Sequence, residues 1–501
     1  MINVRTFGVR GDGHTDNSAA IRRALVVGSG NAVYFPAGIY AISHPLDLPS
    51  APVRVFGDGA SSVLLQRSDN LGIFNILPGS RGIEIDHLHF RESGTVHGHQ
   101  LGRGALYINP GGKPPGVSKL YVHDNIFDCA STSCIAATYL VNSMIQRNRF
   151  DNDGTGEHGV YLSSDGNYNS RDVVIESNVF HSSYHGREGQ NAIELGIQLR
   201  ATKDVSIINN RITGWSDGIL TIPEQGRLGA ESGVSGLVIR GNMIGSQADD
   251  GFVNFDGAVK YAIVEDNTFT TCGRNGIRSN SPLEDSLFAR NKILNSGESG
   301  IRLNFVAHSI FSDNIVQDSG RRARDGPDST AGIRLNEYNY DDLFIGNTST
   351  ISSAGSAQQF GVSIAGSAHS VMNLRNCFAA NRLLPNAKRE MDAYEFQSSC
   401  SKMANPPTIH MTVTSSAAMA RRQVRMINEN RVPLRILNVR ASDGVTITNQ
   451  NCGRLVAAGS GCNMTVVAPG MSLTNDAMLS IVYQVGGPSK TLHVTLTSKS
   501  N

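Results

Sequence analysis

The 501-residue sequence has no run of 18 apolar residues, which excludes a membrane-spanning helix. Its charges nearly cancel, at a formal net +1, so no global field draws it to nucleic acid or to an anionic membrane. Tightly spaced His and Cys ligands are missing, and with them the signature of a zinc site. There is one tryptophan, Trp215, and proline is modest at 17 residues. No coiled-coil pattern or trimerising tail is present, so a monomer is expected. No leader is visible either. Ile2 to Arg10 already reads as a strand, and the expectation is of an exported protein whose leader has been removed.

Glycine is abundant, at 53 residues, and asparagine falls at regular places. That combination suits many short strands joined by tight turns and argues against a helical protein. Seven cysteines are present. Cys129/Cys134, Cys377/Cys400 and Cys452/Cys462 are close in sequence, and Cys272 is left over. Loop-spaced pairs of this kind suggest disulfides and an oxidising compartment.

A repeat dominates residues 80 to 385. Each unit has a short apolar strand, an Asn, and one or two further apolar residues, as in His123-Asp-Asn-Ile-Phe and Glu265-Asp-Asn-Thr-Phe. The key residues are Asn125, Asn148, Asn178, Asn210, Asn242, Asn267, Asn291 and Asn314, separated by 23 to 25 residues at the shortest and 32 at the longest. A constant minimum with a variable excess means a fixed coil with insertions in its loops. Asn suits the turn because it tolerates left-handed backbone geometry, and stacked Asn side chains can form a ladder.

A second strand in each unit begins with Gly, as in Gly218-Ile-Leu-Thr, Gly251-Phe-Val-Asn and Gly276-Ile-Arg-Ser. The residue after Gly is apolar and faces inward, and the next faces out. One coil cannot bury its own apolar face, so the coils must stack. The expected fold is all-β: a right-handed parallel β-helix over residues 1–395, about 10 coils long. Residues 1–79 form an N-terminal cap and the first coils, with a capping helix from Thr15-Asp-Asn-Ser to Leu25 that buries Ile21, Leu25 and Val26. Residues 386–405 read as a linker. Six or seven alternating strands over 406–501 suggest a small β-sandwich.

The stretch Phe7-Gly-Val-Arg-Gly-Asp-Gly-His-Thr-Asp-Asn-Ser-Ala-Ala-Ile resembles the opening of the pectate-lyase-like superfamily of β-helix proteins. Val33-Tyr-Phe-Pro-Ala-Gly-Ile-Tyr and Phe56-Gly-Asp-Gly-Ala-Ser-Ser-Val-Leu continue the likeness in order. The resemblance implies the fold over about four fifths of the chain. For chemistry it implies only a range: lyases, glycoside hydrolases, epimerases and phage tailspike depolymerases. Asn451-Cys-Gly-Arg-Leu-Val-Ala-Ala-Gly-Ser-Gly-Cys-Asn-Met-Thr-Val resembles hydin-like immunoglobulin-type domains. That likeness implies a hairpin with Cys452 and Cys462 close enough to bridge, in an accessory domain of an exported bacterial protein.

Three groups of residues carry candidate chemistry. Asp217 and Asp250 both stand just before the Gly of the second strand on consecutive coils, roughly 5 Å apart if the coils stack in register, and Asp249 adds a third carboxylate. A close carboxylate pair raises one pKa and keeps the other group ionised, as glycoside hydrolysis requires. Trp215, two residues before Asp217, is expected on the same side as a stacking surface for a sugar ring. The run Trp215-Ser-Asp, Asp249-Asp-Gly, Arg274-Asn-Gly and Ile301-Arg-Leu-Asn loosely resembles the four successive motifs of polygalacturonases. The three Asp positions and Arg302 match. The His of that family is replaced by Asn275 and its Lys falls on Leu303 or Asn304.

Arg278, Arg302 and Arg334 take the first outward position after Gly on three successive coils, with Asn280, Asn304 and Asn336 two residues on. Such a stack repels itself unless an anionic ligand or neighbouring carboxylates such as Glu337 lie across it. The third group is Glu157, His158 and Tyr161 on one coil, His185, Arg187 and Glu188 in the following loop, and Glu194, Gln198 and Arg200 after it. Here His158, Tyr161 and Arg200 would serve as base and carboxylate-neutralising cation in β-elimination.

No cofactor is expected. Calcium held by Asp249, Asp250 and Asp256 is the one metal arrangement conceivable. The expected activity is cleavage of an acidic polysaccharide, with hydrolysis favoured over elimination or C5-epimerisation. A non-catalytic, carbohydrate-binding rod is the competing class.

Overall fold

A computed structural model of the chain describes residues 1–68, 71–92, 103–130, 132–152, 156–164, 168–183, 194–223, 233–322, 327–336, 338–352, 357–364, 373–374, 376–382, 408–416, 419–442, 445–448, 450–469, 478–485 and 489–495. Successive coils lay their strands one above the next into three parallel sheets of 21, 13 and 12 strands. Twelve or thirteen rungs per ladder exceed the ten coils expected. The excess comes from the N-terminal region, where Asp12–Asp16, Gly38–Ile42 and Ser62–Gln66 already form rungs of the 13-stranded sheet.

Inward-facing residues stack on their counterparts in adjacent coils. Phe90, Phe127, Phe150 and Phe180 lie ring on ring at 4.7, 5.0 and 4.5 Å. Phe288, Phe311, Phe344 and Phe378 repeat the arrangement at 4.9, 4.9 and 4.4 Å. Each such buried ring stabilises the coil stack by about 1.5–3 kcal/mol relative to exposure.

The asparagines form the ladder. Asn125 Nδ2 donates to Asn148 Oδ1 at 3.0 Å, and the chain of bonds runs on through Asn178, Asn210, Asn242, Asn267, Asn291 and Asn314 to Asn347 and Asn381. Each amide also donates to a backbone carbonyl, as Asn210 does to Ile175 O at 2.9 Å. The left-handed residue of the turn is the one before each ladder asparagine, for example Asp124, Arg147, Ser177 and Asp266. Asn is therefore selected by its amide here and not by its backbone freedom, which corrects the expectation.

The glycine opening each second strand is required by space. A Cβ on Gly218 would lie 2.6 Å from Gly251 O and 2.6 Å from Ile244 Cγ2. That close approach packs one coil's strand start directly onto the next.

Ser18–Val27 forms the capping helix and buries Ile21, Ala24 and Leu25. Val26 is 68% exposed and does not join the stripe. Ile2–Arg10 is not one strand: Ile2–Asn3 pairs with Val33–Tyr34, and Val4–Phe7 turns into a short 3-10 helix.

Two antiparallel four-stranded sheets follow the β-helix. One contains Thr408–Ser416, Met419–Ile427, Thr446–Thr448 and Gly461–Pro469, and the other Leu434–Ala441, Leu455–Val456, Met478–Gln484 and Lys490–Thr495. Val424, Met426, Met464, Leu479, Ile481 and Tyr483 are buried between them.

This sandwich rests on the flank of the β-helix. An outward column of the 21-stranded sheet changes from Ser206 to Val238, Ile263, Leu287, Ile310, Leu343 and Cys377, and these residues share one apolar cluster with the sandwich. Arg435 of the sandwich clasps Glu265 of the β-helix through both oxygens at 2.6 and 2.8 Å. Asp285 accepts the Ala458 N–H at 3.0 Å, and Arg431 O lies 2.9 Å from His308 Nδ1.

Cys129–Cys134 and Cys452–Cys462 are disulfides, and Cys272 is a buried thiol. Cys400, the expected partner of Cys377, lies outside the described residues.

Candidate active site

The outward face of the 12-stranded sheet gathers most of the candidate residues into columns. One column reads Tyr161, Gln198, Leu220, Val253, Arg278, Arg302, Arg334, each paired in register with the next. Three residues earlier in each strand runs His158, Leu195, Asp217, and then, by the same register, Asp250 and Asn275. One residue earlier still stand Glu157, Glu194, Ser216, Asp249, Arg274 and Glu298, and backbone bonds link the last five in turn. At the usual spacing between strands, Tyr161 and Arg278 stand four coils, roughly 19 Å, apart. The candidates therefore form two centres on one face, with Leu220 and Val253 between them.

The first centre is the Asp217/Asp250 pair. Asp217 Oδ1 accepts the Asp250 backbone N–H at 2.8 Å. Burial, reinforced by the charges of Asp250 and Asp249, holds the Asp217 carboxyl well above the usual carboxylate range. Asp250 is only 2% exposed. Its Oδ1 accepts from Asn275 N at 2.9 Å and Nδ2 at 2.8 Å, and its Oδ2 faces Arg278 at 3.2 Å. Three donors thus converge on this one carboxyl. The two carboxyls thus have opposed environments on adjacent coils. Beneath them, burial pushes the Cys272 thiol upward, with the Asp250 and Asp217 charges adding to the effect.

The arginine column stacks in register as expected. Its counter-charges come from residues just before the strands: Arg278 pairs with Asp250, and Glu298 lies 3.2 Å from Arg274 and 3.6 Å from Arg302. Asn280 Oδ1 accepts from Arg278 at 3.3 Å and from Asn304 Nδ2 at 3.3 Å, so the asparagine row braces the arginine row. Arg334 is 8% exposed. Glu337, an expected partner, lies outside the described residues.

The second centre joins residues of adjacent coils. Arg200 Nε donates to the Tyr161 hydroxyl at 2.8 Å, and the His158 ring stacks on Tyr161 at 5.2 Å. Burial drives His158 down to about 4, so it is neutral at ordinary pH, and drives Glu157 up to about 7. Ser133 Oγ lies 3.0 Å from His158 Nδ1 and 3.4 Å from Glu157 Oε2. This combination of Ser, His and Glu is not a nucleophilic triad. The serine sits between the other two instead of at the end of a relay, and all three side chains are buried. Gln198 is nearly buried between Tyr161 and Leu220, and Glu194 precedes its strand. His185, Arg187 and Glu188 lie outside the described residues.

Two expectations are corrected. Trp215 is completely buried in the β-helix core and cannot stack on a sugar. The strand begins only at Asp217, and the preceding Gly214 adopts a positive φ of 80°, so alternation does not extend back to Trp215. Asp256 is exposed beyond the far end of the strand that follows Asp250, roughly 15–20 Å away, and does not converge with Asp249 and Asp250 on a calcium ion. Among the described residues one His/carboxylate group has metal-like spacing, Glu84, Asp86 and His123. Both Asp86 oxygens are already taken by Arg54 at 2.8 Å.

The residues missed as partners are Glu298 and Asn275. Their signal was positional: each holds a place in the ladder just before the Gly-initiated strand, beside Asp249 and Asp250.

Fold and register together define a right-handed parallel β-helix. Residues 1–220 match the family model for rhamnogalacturonase A/epimerase, pectate lyase-like, and residues 195–382 match the one for the right handed beta helix region. The pre-neck appendage protein of Bacillus phage phi29 is 31% identical over 106 residues, 21% of this chain and 12% of that protein. Its counterpart in Bacillus phage PZA is 35% identical over 71 residues, 14% and 8%. The chain therefore spans about a tenth of the length of these curated relatives. Among solved structures, the A-module of the mannuronan C-5 epimerase AlgE6 of Azotobacter vinelandii aligns with TM-score 0.50 and 15% identity over 76% of this chain and 99% of its own. DFA-IIIase from Arthrobacter chlorophenolicus A6 without its lid aligns with TM-score 0.46 and 13% identity over 77% and 99%. At these identities the likeness is one of fold.

Proposed function

We propose that this chain is an exported enzyme that cleaves a polysaccharide by glycosidic hydrolysis, with Asp217 as general acid and the Asp249/Asp250 pair as base. The observation that carries this reading is the opposed environment of two carboxyls on adjacent coils. Burial and the charges of Asp250 and Asp249 raise the Asp217 carboxyl, and Asp250 accepts from Asn275 and faces Arg278. The proton of Asp217 passes to the glycosidic oxygen as its bond to the anomeric carbon breaks. Water adds to that carbon and gives its proton to the carboxylate.

An acidic polymer fits the face. Arg278, Arg302 and Arg334 stack in register along it on successive coils, a row of guanidiniums suited to carboxylates. Two disulfides suit an oxidising compartment, which supports export. A second reading is favoured by the bond from Arg200 Nε to the Tyr161 hydroxyl. Once its own proton has passed to solvent, a tyrosine oxygen so held can take the C5 proton of a uronate, in elimination or epimerisation.

The test is incubation with acidic and neutral polysaccharides, following both reducing ends and absorbance near 235 nm. New reducing ends without absorbance, lost in Asp217→Asn, support hydrolysis. Absorbance that survives Asp217→Asn and is lost in Tyr161→Phe supports elimination. Binding with neither signal on any polymer makes the chain a carbohydrate-binding rod.

A further inference from the structure

Where the sandwich leans on the β-helix, a cleft of about 690 Å³ remains between them. It lies on the 21-stranded sheet, whereas the Asp217 face is on the 12-stranded sheet. The β-helix wall contains Asp204, Ser206, Ser235 and Tyr261, and the opposite wall contains Asn451 and Arg454.

Tyr261 is the unexpected residue in this wall. The turn that holds it recurs in successive coils, and in register its counterparts include Lys119, Asn142, Asp172, Asp204, Gly236, Asp285, His308 and Asp341. The turn is left-handed, and Asn, Asp, Gly and His are the residues that tolerate it. Tyr261 adopts φ 59° there, with 41% of its surface exposed. Tyr139, Phe305 and Tyr338 adopt the same conformation at other turns, so what distinguishes Tyr261 is not its backbone but its half-exposed ring in the wall of the cleft. Further along the same turn column, Asp285, His308 and Asp341 bind the sandwich directly. The Asp204–Tyr261 portion faces open space instead.

Both walls are rigid. The β-helix wall is a backbone-bonded ladder. The sandwich wall is the segment 451–463, closed by Cys452–Cys462 and by the Asn451 N–H bond to Asn463 O at 3.0 Å. Volume and preformation are those of a small-molecule site. The lining offers an aromatic face, three serine hydroxyls, an amide, one carboxyl and one guanidinium. That is a balanced set for hydroxyl groups and a poor one for a polyanion.

We infer that this cleft is a second saccharide site, separate from the Asp217 face, which holds a neutral sugar segment with one ring stacked on Tyr261. It would anchor the polymer on the flank of the rod, and it does not depend on the chemistry proposed for Asp217.

The test is calorimetric titration of the full chain carrying Asp217→Asn, to prevent turnover, with β-1,3-glucan, β-1,4-glucan and galacturonate oligomers. The expected result is binding of a neutral oligomer, weakened at least tenfold by Tyr261→Ala and several-fold by Asp204→Asn or by removing both Cys452 and Cys462. Far-ultraviolet circular dichroism and the melting temperature establish that each variant is folded. Absence of binding by both neutral oligomers overturns the inference. So does binding that Tyr261→Ala and Asp204→Asn both leave unchanged. If only the galacturonate oligomer binds in a Tyr261-dependent way, the neutral class is overturned.

Discussion

Asp217 Oδ1 accepts the backbone N–H of Asp250 at 2.8 Å, so the acid candidate is fixed by the chain that carries its neighbouring carboxylate. The two groups cannot move independently. Asp217→Asn keeps an oxygen for that N–H and removes the proton donor. Turnover is expected to fall by about 10²–10⁴. A carboxyl whose pKa is raised by folding gives stability that is fully present below about pH 4 and is lost as pH rises through its folded value. The neutral amide does not suffer that loss. Asp217→Asn should therefore melt higher than the wild type at neutral pH and equal to it in acid. A variant that is inactive and also less stable at neutral pH would remove Asp217 from its proposed role.

Arg302 and Arg334 extend the face beyond the carboxyl pair, in register with Arg278. If an acidic chain lies across them, Arg302→Gln should raise KM for the acidic polymer about tenfold and leave kcat within a few-fold. The effect should shrink as salt rises from 50 to 500 mM, because these are screened charge contacts. Equal loss on acidic and neutral polymers would instead indicate that Arg302 serves mainly to hold Glu298.

The coil architecture was legible because each Asn, each inward Phe and each strand-opening Gly repeats at a fixed place, and stacking converts repetition into contact. That same register placed Asp217 beside Asp250 and aligned the three arginines. What failed was reasoning within a strand applied to a turn. Trp215 was assigned a face by alternation, although Gly214 ends the preceding extended segment. Asn275 and Glu298 were not read as partners for a related reason: their place just before the Gly-initiated strands was legible, but the bonds they make run between coils, outside any strand pattern. The site where the sandwich rests had a readable signal. The outward position that is Ser206 in one coil becomes Val238, Ile263, Leu287, Ile310 and Leu343 in the following ones, an apolar stripe that needs a cover.

Glu265 tests how firmly that cover is held. It is 1% exposed and meets Arg240, Arg290 and, from the sandwich, Arg435. Burial alone would raise its pKa, but the bonds and charges of these guanidiniums, led by Arg435, hold it lowered. A lowered carboxyl gives stability that is present above its unfolded value, about pH 4.3, and is lost as pH falls through the folded one. Docking should therefore weaken in acid. Arg435→Ala removes a bidentate charged contact of about 1.5–3 kcal/mol and should split calorimetric unfolding into separate sandwich and β-helix transitions. A single unshifted transition would show that the apolar stripe suffices.

The asparagine ladder should be the costliest single row to break. Asn210 Oδ1 accepts from Asn178 N at 2.9 Å and from Asn178 Nδ2 at 3.0 Å. Asn210→Ala leaves both buried donors without an acceptor, at about 1–3 kcal/mol each. A loss of roughly 2–5 kcal/mol in urea unfolding is expected, against under about 1 kcal/mol for an exposed residue such as Met243→Ala in the same coil.

Trp215 gives the opposite contrast, a large side chain whose replacement should be mild. It is fully buried, and its indole Nε1 finds no hydrogen-bond partner among the described residues. Trp215→Phe removes ring volume, which destabilises, and removes an unsatisfied buried donor, which offsets part of that loss. The net cost should stay below about 2 kcal/mol, with KM unchanged on any polymer cleaved. As the lone tryptophan, Trp215 also reports directly. Its emission should be blue-shifted and resistant to acrylamide until the coil unfolds, and saturating oligosaccharide should leave it unquenched. Strong quenching by ligand with the protein still folded would place the indole at the surface and restore it as a sugar platform.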